Sequence, residues 1–385
     1  MVAAGRVPLR TVVREWTRIG CVGFGGPPAH IALLRDLCVA RRGWLTERAF
    51  EDGIAATNLL PGPASTQLAI LCAWRVAGVF GALVGGLGFI LPGLVAIVAL
   101  AAVFLAGSPP EWILGAGAGA GAAVPAVAVA AGAALAPASW RRAASAGRWA
   151  AYLALGFAAV VAVGPWLVAV LIACGAGELL WRRGGGAPRL DLQGWPLAAL
   201  LAAATTAGGL GALAWTALKV GALSYGGGFV IVPLMQADAV DVNGWMTGAE
   251  FANAVALGQV TPGPVVQTVA VVGFAAAGLG GAALASLCAF APSFAFILIG
   301  ADRFDRLAAD GRVRAFLDGA GPAAIGAILG SAIPLALALG EPWQLAVLAV
   351  AAVALLAARR GVVATLLAAG AVGGALALAG APLPG

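Results

Sequence analysis

Apolar positions in this chain fall in long unbroken runs instead of the one-sided stripes of a soluble fold. Residues 79–106, 112–137, 279–300 and 361–381 are apolar almost throughout, and each is long enough to cross about 30 Å of hydrocarbon as a helix. One polar, proline-containing pattern interrupts the apolar sequence twice. It reads Asn58-Leu59-Leu60-Pro61-Gly62-Pro63-Ala64-Ser65-Thr66-Gln67 and, with every number raised by 201, Gln259-Val260-Thr261-Pro262-Gly263-Pro264-Val265-Val266-Gln267-Thr268. Two prolines around a glycine cannot continue a helix, because the rings remove N–H donors and push the preceding residue out of the α region. Each copy therefore predicts a helix broken within the membrane, with polar side chains gathered at the break. In lipid, irregular backbone is tolerated only where protein buries it or where it lines a cavity. The two breaks are the first place to look for a solute.

The offset of 201 extends well beyond the breaks. Gly20 maps to Gly221, Phe24-Gly25-Gly26 to Tyr225-Gly226-Gly227, and Trp44-x-Thr46-x-x-x-Phe50 to Trp245-x-Thr247-x-x-x-Phe251, while Phe89 maps to Phe290. Alanine and glycine matches mean little in so Ala/Gly-rich a chain, but the Trp/Thr/Phe and Pro-Gly-Pro sets at one offset establish an internal repeat. Charge then orients the copies. The loop before the first break holds Arg35, Arg41, Arg42 and Arg48; its counterpart, 236–250, has no Lys or Arg and carries Asp238, Asp241 and Glu250. Further on the bias reverses, with no basic residue at 107–111 but Arg303, Arg306, Arg312 and Arg314 in the equivalent region. Basic loops stay cytoplasmic, so the copies are expected upside down relative to each other. The expected fold is an all-α polytopic membrane protein of two inverted-topology repeats, 1–190 and 191–385, with broken or re-entrant helices, the build of many secondary transporters. Each arm of a break hairpin has roughly 15 residues, or about 23 Å, short of a full span. Two short segments split at Gly164-Pro165, and a crossing at 195–212, connect the copies.

Composition agrees with that reading. The chain has 385 residues, 62% hydrophobic and only 10% charged, too few charges to cover a soluble protein of this size. The 57 glycines suit close helix packing in lipid, and the alternating strands of a β-barrel are absent. The net charge of +6 sits in short loops and at segment ends, so it sets orientation and does not point to nucleic acid. Five scattered cysteines form no CxxC or Cys/His cluster, so no metal site, disulfide framework or cofactor is indicated. The N-terminus lacks a short apolar region with a small-residue cleavage site, and no removable signal peptide is expected.

Three groups of residues carry candidate chemistry. A helix starting after Pro61 or Pro262 turns free backbone N–H groups and a positive dipole end toward the break. Asn58/Gln259, Thr66/Gln267 and Gln67/Thr268 stay polar in both copies there, flanking Pro61-Gly62-Pro63 and Pro262-Gly263-Pro264. They serve either a solute path or ordinary capping and interhelical bonding. Arg18 and Lys219 are counterparts ahead of the glycine runs; two cations about a pseudo-two-fold axis suit a dianion, against a reading in which they snorkel to the interface. Glu15 is placed to pair with Arg18 at i, i+3. The runs containing Gly25, Gly26, Gly226 and Gly227 form a second pair of helix breaks whose N–H groups make an anion nest or only permit close packing. His30, the sole histidine, lies just past the first run; its counterpart is Ile231, which favours an ordinary hydrogen-bonded histidine over a proton relay. The apolar segments hold almost no carboxylates for a metal ion or Na⁺, so the inventory favours a small oxyanion without choosing among sulfate, chromate, phosphate or an organic anion. An intramembrane enzyme would need a Ser/His dyad, paired membrane aspartates or an HExxH motif, and none is present.

In these residues the chain resembles the chromate ion transporter family. The resemblance is carried by Phe24-Gly25-Gly26-Pro27, the W-x-T-x-x-x-F segments, and the N-x-L-P-G-P and Q-x-T-P-G-P elements, and it spans nearly the whole chain, including the two homologous halves of the family's long form. Tyr225 for Phe and Gly228 for Pro make the second glycine run a looser match. The resemblance implies secondary active export of chromate across a bacterial inner membrane, with sulfate as a chemically similar competitor and a proton as the candidate coupling ion. A permease or importer for another small oxyanion such as sulfate is the alternative. No pattern in the chain speaks to oligomeric state.

Overall fold

The computed structural model describes residues 7–60, 62–105, 109–162, 167–182, 209–224, 231–300 and 310–384. Regular structure among them is helical, with fourteen α-helices. The first half holds α1 (Leu9–Val22), α2 (Pro27–Arg35, running on as the π-helical turn Asp36–Arg41), α3 (Glu47–Leu59), α4 (Ala64–Phe104), α5 (Glu111–Arg142), α6 (Ala146–Ala162) and α7 (Leu167–Arg182). The second half repeats the order: α8 (Leu210–Leu223), α9 (Ile231–Gln236, running on as Ala237–Val242), α10 (Gly248–Val260), α11 (Thr268–Gly300, after the 3₁₀ turn Val265–Gln267), α12 (Gly311–Leu337), α13 (Pro342–Ala352) and α14 (Val362–Leu378). Four stretches are long and apolar enough to cross a membrane: Ala64–Phe104, Glu111–Arg142, Val265–Gly300 and Gly311–Leu337. The split at Gly164-Pro165, nearly all of the expected 195–212 crossing and the boundary between residues 190 and 191 lie outside the described residues.

The repeated W-x-T-x-x-x-F segment has a plain structural cause. Thr46 and Thr247 are N-caps, accepting the N–H of Ala49 and of Glu250 at 3.2 Å each, and Glu250 completes a capping box by accepting the Thr247 N–H at 2.7 Å. Four residues on, Phe50 and Phe251 are fully buried and fix the entry of α3 and α10 into the core.

The arms at the breaks fold back on themselves. The Arg75 guanidinium donates to the Ala49 carbonyl, and Gly53 lies against Leu68 and Leu71, so α3 and the first leg of α4 run antiparallel from the break to a common end. The α3 arm has 13 residues, about 20 Å of rise, too short to cross. At Gly78 (φ 72°) α4 turns sharply; Gly81 packs on Ala73, which a straight helix would hold about 12 Å away. The second leg, 79–104, is a full-length crossing. Residue Gly278 (φ 59°) bends α11 in the same way, with Gly281 on Gly273. Already at Ala73 and Gly273, ahead of these bends, the offset between the copies is 200, because the second arm is one residue shorter; Gln67 and Gln267, each lying against the glycine of its own break, are counterparts at that offset, in place of the expected pairs Thr66/Gln267 and Gln67/Thr268. The structural counterpart of Phe89 is accordingly Ala289, one place before the Phe290 of the uniform offset.

Equivalent legs run in opposite directions. Phe294 covers Gly86, while Ala82 and Ile297 share one buried apolar group, so later residues of one leg meet earlier residues of the other, as an inverted repeat requires. The halves are also interleaved. α5 packs along α13 and α14 of the second half, and α12 along α6 and α7 of the first. Bare backbone makes these contacts: a Cβ at Gly119 would overlap the Ala369 carbonyl, and one at Gly156 the Ala323 carbonyl. Leu329 covers Gly132; both follow an in-helix proline by seven residues, after Pro125 in α5 and Pro322 in α12, so these equivalent positions meet on the pseudo-two-fold axis. One ion cluster anchors this frame: buried Glu178 accepts from Arg148 at 2.8 Å and Arg182 at 2.9 Å, and Arg182 reaches Asp318 of α12 at 2.8 Å.

Candidate functional site

Backbone geometry at the breaks follows from glycine between prolines. Gly62 and Gly263 adopt φ of 117° and 94°, and Gly25 and Gly26 of 92° and 73°, a region that side-chain-bearing residues avoid. Pro63, Pro264 and Gly26 precede the helical turns that follow, and none of these three starts has a side-chain cap. The first N–H groups after Pro63 and Pro264 are left for another acceptor, whereas α2 begins Pro27-Pro28 and has no N–H to offer before Ala29.

The second proline break lies against the glycine turn of the first half. The Gly263 N–H donates to the Gly23 carbonyl at 2.9 Å, and a Cβ on Gly26 would stand 3.8 Å from Val265. The first break lies against α8 of the second half, where a Cβ on Gly62 would stand 3.2 Å from the Gly221 carbonyl. The second break also touches the middle of the long crossing leg of α4. Gln267 Nε2 donates to the Ile90 carbonyl at 2.8 Å, and Gly93 is bare where a Cβ would overlap the Pro262 carbonyl. The contact falls halfway along a leg of a helix long and apolar enough to cross a membrane.

Unpartnered polar atoms concentrate here. Thr66 Oγ1, Ser224 Oγ, Ser293 Oγ, Gln259 Nε2 and Gln267 Oε1 are buried with no hydrogen-bond partner among the described residues, against the general rule that buried polar groups are paired. Ser293 is the counterpart of Gly93 at the 200-residue offset. Gln67 is fully buried and its amide lies against Gly62, while Thr268 donates internally to the Val265 carbonyl at 2.8 Å. Of the remaining expected residues, Pro61, Gly226 and Gly227 lie outside the described residues, as does the side chain of Asn58, whose backbone is in α3.

Arg18 and Lys219 are held by carboxylates, and none of their described bonds reaches a break. Glu15, buried, accepts from Arg18 at 3.3 Å, Arg42 at 2.8 Å and Arg14 at 3.4 Å. Lys219 pairs with Asp238, which also accepts from Thr216 at 2.7 Å. His30, expected as a hydrogen-bonded histidine, is fully buried and bonded at both ring nitrogens, with Nε2 2.9 Å from the Gly23 carbonyl and Nδ1 3.2 Å from Ser65 Oγ. Ser65 is the partner the sequence did not single out.

A family described as chromate transporter matches twice, over residues 10–178 and 211–375, and the two matches start at the offset of the internal repeat. The chain belongs to the chromate transporter family. Among its relatives in that family are the chromate transport protein of Cupriavidus metallidurans, 32% identical over 85% of this chain and 82% of the relative, and the probable chromate transport protein of Synechococcus elongatus, 29% identical over 85% and 84%. The chromate transport protein of Pseudomonas aeruginosa is 31% identical over 84% and 80%. No solved structure matches the chain. The doubled chromate transporter match makes each proline break, with its glycine turn, part of one family unit that occurs twice in this chain.

Proposed function

We propose that this protein is a secondary active transporter that exports chromate, with sulfate as a competing tetrahedral dianion, across the bacterial inner membrane by alternating access. The observation that carries the reading is the seating of each proline break against the other half, the second on the Gly23–Gly26 turn through the Gly263 N–H to Gly23 carbonyl bond and the first on Gly221 of α8. The uncapped helix starts after Pro63 and Pro264, the partnerless Thr66, Ser224 and Ser293 hydroxyls and the Gln259 amide NH2 supply donors for an oxyanion from both halves. The membrane repeats 1–190 and 191–385 insert in opposite orientations, and the anion is bound by Gly25, Gly26, Gly62, Pro63, Thr66, Gln67, Gln259, Pro262, Gly263, Pro264, Gln267 and Thr268, together with Asn58, Pro61, Gly226 and Gly227. Names of relatives, and the oxyanion-favouring inventory of the site, support chromate as the substrate.

The deciding experiment is flux into everted and right-side-out vesicles with chromate, sulfate and phosphate in competition. Chromate accumulation in everted vesicles, inhibited by sulfate, is expected. Movement of no oxyanion, or of a cation alone, ends the proposal, and accumulation only in right-side-out vesicles makes the protein an importer.

Arg18 and Lys219 act in this reading as steering charges near the mouths of the path. Arg14, Arg18 and Arg42 surround a single carboxylate, Glu15, leaving net positive charge, whereas Lys219 is balanced by Asp238. Arg18→Gln is expected to raise KM for chromate about tenfold at low ionic strength, with kcat nearly unchanged and the difference fading as salt is added. A fall in kcat with unchanged KM would place Arg18 at the chemistry of translocation and not at the entrance.

A further inference from the structure

The Gly23 carbonyl accepts two hydrogen bonds, one from each side of the site. One comes from the Gly263 N–H of the second break at 2.9 Å, the other from His30 Nε2 at 2.9 Å. The other ring nitrogen, Nδ1, lies 3.2 Å from Ser65 Oγ in the first turn of α4, just past the first break. Phe89 meets the ring edge-on, with centroids 5.0 Å apart. A carbonyl only accepts, so Nε2 carries hydrogen; in the neutral ring Nδ1 then accepts from the Ser65 hydroxyl. One imidazole thus bonds to Ser65 directly and to the second break through Gly23.

Among the described residues no charged group is bonded to this ring. The ionisable side chains on the elements packed against α2 are engaged elsewhere: Glu15 with Arg14, Arg18 and Arg42, Asp36 with Arg41, and Arg75 with the Ala49 carbonyl. Exposed Arg10 and the thiols of Cys21, Cys38 and Cys72 complete the set. The groups bonded to or stacked on His30 (Gly23, Ser65, Phe89) are all uncharged.

We propose that His30 is the proton-binding group that couples protonation to anion occupancy of the paired breaks. The proposal rests on the reading of the breaks as the anion site. When Nδ1 takes a proton from water it becomes a donor to Ser65 Oγ. The hydroxyl hydrogen, no longer held by the ring, turns to the uncapped start of α4, where the Thr66 hydroxyl is buried without a partner. An oxyanion there accepts that hydrogen and balances the imidazolium. Without the anion, a charged ring among neutral partners is expensive. Proton and anion therefore bind together, and by linkage each strengthens the other equally.

Sulfate is the probe, because it stays a dianion over the range in which histidine titrates, whereas chromate and phosphate take up protons themselves. Sulfate binding to the purified full-length protein is measured by calorimetry across pH in two buffers of different ionisation enthalpy. About one proton taken up per sulfate is expected, with affinity falling up to about tenfold per pH unit on the alkaline side. His30→Gln, which keeps a donor and an acceptor, is expected to bind sulfate with no proton uptake and a flat pH profile. Ser65→Ala leaves the ring in place but removes the relay hydroxyl, and is expected to lower the proton count well below one. Binding of sulfate by the wild type without proton uptake, or undiminished uptake in either variant, overturns the proposal while leaving the anion site standing. A wild type that binds no oxyanion at any pH overturns the site and the proposal together.

Discussion

Gly93→Ala is expected to abolish oxyanion transport while the protein still inserts and folds. Gly93 sits midway along the crossing leg of α4, with the second break pressed on its bare face. An added Cβ would overlap the Pro262 carbonyl and stand 2.5 Å from Gln267 Oε1 and 2.9 Å from its Nε2. The carbonyl is backbone, fixed between a proline ring and a glycine, so the break has to move by about an ångström. Overpacking of this kind costs about 1–3 kcal/mol of stability, which a multi-helix core absorbs. Misplacing a positioned site by about 1 Å costs about 100-fold in rate, and that loss is the expected flux phenotype. Gly280→Ala is the control, because nothing lies within 4 Å of its Cβ position. Flux normalised to protein in the membrane checks the pair. Wild-type flux in Gly93→Ala would mean that the second break does not form the translocation site.

Much of the architecture was legible because proline and glycine act locally. Pro61-Gly62-Pro63 and Pro262-Gly263-Pro264 stop helices whatever surrounds them, and Thr46 and Thr247 cap the helices that precede them. Tertiary pairing was less accessible. That Gly263 meets Gly23, and Gly62 meets Gly221, follows from how the copies cross, and nothing periodic in the chain encodes the crossing. Symmetry itself misled in two places. Arg18 and Lys219 are true counterparts, yet Glu15 stands where the second half has Thr216, and Asp238 where the first has Leu37, so the neutralising carboxylates did not appear as a pair. His30 has the apolar counterpart Ile231, so matched polarity pointed to an ordinary hydrogen-bonded histidine, which it is, but gave no sign that its partners Ser65 and Gly23 lie at the two breaks. The uniform offset also failed just past the breaks, where one fewer residue in the second arm moved every later equivalence by one.

Interleaving of the halves decides which bodies can move, and a pair of disulfides tests it. Apart from α10, which packs most on α5, the break-bearing helices α1–α4 and α8–α11 pack mainly on one another, whereas α5–α7 and α12–α14 form a frame to which both halves contribute. Rocking of 1–190 against 191–385 would tear α5 from α14 and α12 from α6, contacts made backbone to backbone. The expected motion is instead of the break-bearing group against the frame. Gly121 of α5 lies against α10, its Cβ position 3.5 Å from Ala252 Cβ, and the Gly370 Cβ position of α14 is 3.7 Å from Ala120 Cβ of α5. Both separations fit a disulfide, and both bonds would join the first half of the chain to the second. Oxidised Gly121→Cys/Ala252→Cys is expected to lose essentially all flux and to recover it on reduction, because the bond ties the moving group to the frame. Oxidised Ala120→Cys/Gly370→Cys is expected to keep wild-type flux, because its bond lies within the frame. Arrest by both bonds would show that the sequence halves rock as units. Arrest by neither would show that transport needs no displacement of α10 along α5, and that access alternates through local movement of the breaks alone.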